Sequence, residues 1–82
     1  MTRQIGEFND ATVVASLNLI NKMGVEQDIS LYPLVRDALA PTVHLAQCTL
    51  RTHSGVSDVH IAHCTELIRI MNELGTKYRG GE

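Results

Sequence analysis

Apolar residues in this chain recur at helical intervals and nowhere sustain the period-two alternation of a half-buried strand, so the predicted fold is all-α. Three times the same starting signal appears: an apolar residue, a capping Asn or Ser, then an apolar residue four positions into the helix. The instances are Phe8-Asn9 with Val13, Ile29-Ser30 with Leu34, and Val56-Ser57 with Ile61, and each can close as a hydrophobic staple around an N-cap. Asp10 and Asp58 fall at first helical positions, where a negative charge favours the helix dipole. Gly24, Gly55 and Gly75 each follow a helical stretch and can take the left-handed conformation that stops it. The spacing predicts helices over 10–23, 31–53 and 58–74, in a single domain over 9–75. Flexible ends are expected at 1–8 and 76–82, the latter polar and glycine-rich.

Projection at about 100° per residue assigns a face to each helix. In the first, Val13, Leu17 and Ile20 form the buried stripe. In the third, Leu74, Leu67, His60, Met71, Cys64, Ile68 and Ile61 gather on one arc, with Thr65, Glu66, Arg69, Asn72 and Glu73 opposite. The middle helix is the long one. Pro41 in its interior removes a backbone hydrogen bond and crowds the preceding turn, predicting a kink or a split, whereas Pro33 lies harmlessly in the first turn. Around this helix Leu31, Leu34, Val35, Ala38, Leu39, Val43, Leu45, Ala46 and Leu50 span a wide apolar arc, with Asp37, His44, Gln47, Cys48 and Arg51 on the other side.

That arc matters because the chain has 82 residues, 44% of them hydrophobic, almost all aliphatic: one Phe, two Tyr and no Trp. So short a chain buries only roughly 60% of its unfolded surface. More apolar side chain is present than one small helical core hides, and a bundle completed by homodimerisation is expected. The formal charge of -2, with basic residues scattered from Arg3 to Arg79, offers no stripe for nucleic acid. No window approaches a membrane span, and the opening run Met1 to Asp10 holds no apolar stretch of signal-peptide length. Two cysteines are too few for a disulfide-stapled secreted domain, so reduced thiols in a cytoplasmic protein are expected.

Candidate chemistry rests on a phrase written twice, Val43-His44-Leu45-Ala46-Gln47-Cys48-Thr49 and Val59-His60-Ile61-Ala62-His63-Cys64-Thr65. Each sets a His four residues before a Cys, on one helix face, and His44, Cys48, His60 and Cys64 together are a tetrahedral ligand set for zinc. Helical phase opposes this, because the first pair faces away from the core and the second lies at its centre. The primary reading is therefore no cofactor, with Cys64 a small buried hydrophobe, and zinc stands as the alternative. No paired carboxylates, phosphate loop or nucleophile with an adjacent base can be read, so an enzyme is not expected.

The stretches Leu17-Asn18-Leu19-Ile20-Asn21-Lys22-Met23-Gly24-Val25 and Val56-Ser57-Asp58-Val59 are similar to the corresponding parts of histone-fold transcription subunits. In order of elements the chain also resembles that fold: a shorter helix, a seven-residue link, a long central helix, a brief link and another helix. The resemblance implies a heterodimer subunit. The leading expectation from the residues themselves is a small non-enzymatic helical protein that binds protein as a regulator, inhibitor or adaptor. It would use Leu31, Tyr32, Leu34, Leu45 and Cys48 to meet a second copy and a larger protein partner, with no role for nucleic acid or membrane.

Overall fold

The computed structural model describes residues 9–52 and 55–80. Phe8 with the rest of 1–8, the predicted helix end at His53, and residues 81–82 of the predicted tail lie outside them. Three α-helices follow in order, α1 (Asp10–Met23), α2 (Tyr32–Thr52) and α3 (Asp58–Gly80), with a short 3-10 turn at Ile29–Leu31 leading into α2. The described residues contain no strand, and the all-α class holds. Every helix touches the other two.

Helix α1 starts and stops where its signals lie. Asn9 Oδ1 accepts from the Thr12 amide at 3.1 Å, and Gly24, at φ 68°, ends the helix by donating its N–H to the Asn21 carbonyl. Helix α3 opens in the same way, with Ser57 Oγ accepting from the His60 amide at 3.2 Å. Its buried positions Cys64, Leu67, Met71 and Leu74 keep a three-four spacing, with Ile61 and Ile68 at the edges. Together with Val13, Ile20, Val25, Tyr32, Val35, Leu39 and Ala46 they make the core. The opposite face of α3 carries Arg69 between Glu66 and Glu73, at 2.7 and 2.6 Å, an exposed network of small energetic weight.

Three expectations are corrected. The entry to α2 is capped by Asp28 rather than Ser30: Asp28 Oδ1 accepts from the backbone and hydroxyl of Ser30 and tightens Ile29–Leu31 into a 3-10 turn. Leu34 is consequently no staple partner and stands 60% exposed. Second, of the kink or split expected at Pro41, the split is not found, since α2 runs as one helix through that residue. Pro41 and Asp37, whose carbonyl loses its i+4 donor, are both exposed, so water can take the place of the missing bond.

Third, α3 does not stop at Gly75. It continues to Gly80, so residues 76–80 of the predicted tail are helical. Gly75 is buried against Tyr32, and a Cβ there would lie 2.9 Å from Tyr32 Oη and 3.4 Å from Cζ. The residue is therefore a notch that lets α3 seat on the first turn of α2. One turn further, Tyr78 meets the Tyr32 ring at 5.4 Å between centroids, and Lys77 Nζ donates to the Glu26 carbonyl at 2.9 Å. These contacts hold the last turns of α3 to the α1–α2 link. Among the described residues α1, α2 and α3 hold 14, 21 and 23 residues.

Gly75→Ala tests the notch. An exposed helical glycine replaced by alanine gains about 1 kcal/mol, whereas here overpacking against Tyr32 should give a net loss of about 1–3 kcal/mol in urea unfolding. Removing the hydroxyl with Tyr32→Phe should recover part of that loss, and a stabilised single variant would contradict the packing.

Candidate functional site

The residues singled out by the sequence fall in two separate places. Where α1 and α3 begin, Asp10 Oδ1 accepts from two imidazoles at once, His60 Nδ1 at 3.0 Å and His63 Nδ1 at 2.7 Å. Helical geometry explains the convergence: His60 and His63 sit three apart on one face of α3, and Asp10 is the first residue of α1 beside them. The hydrogen bonds from His60 and then His63 hold the Asp10 carboxyl below its ordinary range, against a smaller opposing effect of burial. His60 also reaches Cys64, with Nε2 3.8 Å from Sγ. A shallow cleft lined by Asn9, Asp10, Thr49, Val56, Ser57 and His60 opens beside this clasp.

Cys64, His60 and Asp10 thus stand in the order of a nucleophile, a base and a residue that orients the base. The Cys64 thiol lies inside the helical core. It is fully buried, and desolvation, followed by the charge of Asp10, raises its pKa and keeps it protonated. The clasp ties the start of α1 to the start of α3.

The second place is the outer side of α2. His44 Nε2 lies 3.9 Å from Cys48 Sγ, and Arg51 Nη2 donates to the same sulfur at 3.5 Å. The four expected zinc ligands therefore remain two pairs, one against α1 and one at the outer side of α2. Among the described residues no group of three or more His, Cys, Asp or Glu side chains is arranged to hold a metal ion. The structure thus does not bring His44 and Cys48 together with His60 and Cys64. The physical cause is helical phase, which turns the two pairs to different sides.

The expected partner-binding set also divides. Tyr32 is a core residue whose edge lines a groove with Arg36, Val43 and Met71, and Leu31 is half-buried against the core. Leu34 is 60% and Leu45 38% exposed, and Cys48 is half-buried. Between them Ala38 and Pro41 are exposed too. Leu34, Ala38, Pro41 and Leu45 follow one another at steps of four, three and four and form a continuous apolar ladder. Buried residues of α2, by contrast, cluster about Tyr32, Val35, Leu39 and Ala46, roughly 120° around the helix from the ladder. The wide arc read from the sequence is two faces, one inside and one outside.

Sequence reasoning missed the role of Asp10, because its partners lie 50 and 53 residues away and no local pattern marks such a contact. Pro41 removes a backbone hydrogen bond and also contributes its exposed ring to the outer ladder. Comparison with protein-family models, curated proteins and solved structures finds no match to the chain.

Two outcomes check the clasp. Asp10 has a folded pKa below its ordinary 3.8, so its contribution to stability is complete above that pH and is lost as pH falls through the lower folded value. Wild-type stability should therefore fall more steeply below about pH 4 than that of Asp10→Asn, measured by acid unfolding; equal slopes would contradict the linkage. A thiol reagent should modify Cys48 in the native protein and Cys64 only on unfolding, and equal rates would contradict the burial of Cys64.

Proposed function

We propose that this chain is a small non-enzymatic protein that acts by binding protein, as a homodimer that regulates, inhibits or adapts a larger partner. The observation that carries the reading is the apolar ladder of Leu34, Ala38, Pro41 and Leu45, exposed on the side of α2 that faces away from the core. Apolar side chains in a contiguous row gain free energy by leaving water, at about 25 cal/mol per Å² covered. Occlusion or docking through this helix face is the mechanism.

No helix of the described residues is long and apolar enough to cross a membrane. We assign the protein to the cytoplasm, a setting that suits the free thiols of Cys48 and Cys64. The scattered basic residues and acidic balance give nucleic acid no footing.

Replacing Leu34 and Leu45 together by Glu tests the role of the face. Both are exposed enough that folding stability should change by no more than about 0.5 kcal/mol each. Sedimentation velocity should show a concentration-dependent dimer for the wild type and a monomer for the variant. Capture from the native host should lose, with the variant, the proteins bound by the wild type. A wild-type monomer well above micromolar concentration would contradict the homodimer, and identical capture by both forms would contradict the role of the ladder.

A further inference from the structure

The ladder on α2 continues beyond Leu45 with the same three-four step through Cys48 to Thr52, so that positions 34, 38, 41, 45, 48 and 52 form a heptad seam of the kind through which two helices pack. Along one edge of the seam, seven residues apart, stand Asp37, His44 and Arg51, all exposed. That edge runs from a negative charge through an imidazole to a positive charge. Asp37 has only a surface pairing with its neighbour Arg36, at 3.2 Å with side-chain exposures of 51% and 75%, and Arg51 donates to Cys48 Sγ. Neither charge is fixed by a buried partner.

We infer that the outer face of α2 is an antiparallel self-association surface, on which a second copy of this chain lies across a two-fold axis near residues 43 and 44. This inference rests on the homodimer reading above and specifies its face, direction and register. The occupant follows from charge. In the antiparallel register Pro41 packs on the partner's Leu45, Ala38 on the partner's Cys48 and Leu34 on the partner's Thr52. The flanking edge then sets Asp37 beside the partner's Arg51 and Arg51 beside the partner's Asp37, with the two His44 side chains at the axis.

One edge is thus complementary to itself after a two-fold rotation, the requirement of an isologous dimer. A parallel, in-register pair gains nothing comparable, because the edge of Asp37, His44 and Arg51 then meets the opposite flank, which carries Thr42 and Thr49. Parallel packing would also set Cys48 against the partner's Cys48. Antiparallel packing separates those sulfurs along the helix by roughly ten residues, or about 15 Å. A single helix pair makes a small interface, so dissociation in the micromolar range is expected.

Charge reversal tests the register, because a merely structural role cannot produce its rescue. Asp37→Arg and Arg51→Asp should each weaken self-association by about tenfold in sedimentation equilibrium, while the double variant returns to within about threefold of the wild type. An equimolar mixture of the two single variants should form a heterodimer, since every flanking pair is then of opposite sign. Both side chains are exposed, and circular dichroism checks that the variants fold.

Mild oxidation of Ala38→Cys should join the introduced thiol to the partner's Cys48, whereas the wild type should not cross-link through its two Cys48 side chains. Rescue, heterodimer formation and this cross-link together support the proposal. A wild-type dimer indifferent to charge reversal, or cross-linked through Cys48, overturns the antiparallel face and leaves the homodimer standing on another surface. A wild-type monomer at several hundred micromolar overturns both.

Discussion

Both neighbours of α2 pack on the same side of it, and that restriction decides what the rest of the molecule can do. The buried positions Tyr32, Val35, Leu39 and Ala46 lie in one sector of the helix, and α1 and α3 touch each other as well as α2. A bundle with only two covering helices leaves the third with an open flank. In most small helical proteins such a flank is charged. Here it carries Leu34, Ala38, Pro41 and Leu45, while the charged residues Asp37 and Arg51 are displaced to its edge.

Close seating of α3 on α2 makes the arrangement possible. Gly75 admits the Tyr32 ring, and Tyr78 meets it from the next turn, so the last turns of α3, which extends to Gly80, lie against the start of α2. At the far end of α3, Asp10 ties the start of α1 to His60 and His63. The helix is thus anchored near both ends by contacts that involve polar atoms, with Cys64, Leu67, Met71 and Leu74 forming an apolar stripe between them. The two histidines and the buried thiol stand at that anchorage, whereas the other His-x-x-x-Cys pair lies on the outer side of α2.

What could be read from the residues was what is local. Asn9, Gly24, Ser57 and Gly55 mark chain turns through hydrogen bonds and dihedral angles set within a few positions, and the ends of α1 and the start of α3 fall as their chemistry dictates. The buried stripe of α3 was likewise legible from its period. Tertiary context decided the rest. Gly75 has the composition of a stop signal and the function of a notch, and the difference is a tyrosine more than forty residues earlier in the chain. Asp28 outcompeted Ser30 as a cap because a carboxylate two residues upstream reaches both the amide and the hydroxyl of Ser30.

The candidate site followed the same division. A surplus of apolar surface on α2 was visible in the sequence, yet the sequence could not say which half of the arc the other helices would cover. Leu31 and Tyr32 went inside, and Leu34 and Leu45 remained outside. The central claim is that this uncovered half meets another protein surface. Its most direct test is the concentration dependence of backbone amide chemical shifts in the intact protein. On dilution from millimolar to micromolar concentration, amides of Leu34, Ala38, Leu45 and Cys48 should shift, and those of Val13, Leu67 and Leu74 in the core of α1 and α3 should stay in place. Shifts confined to the outer face of α3, or none at any concentration, would contradict the account.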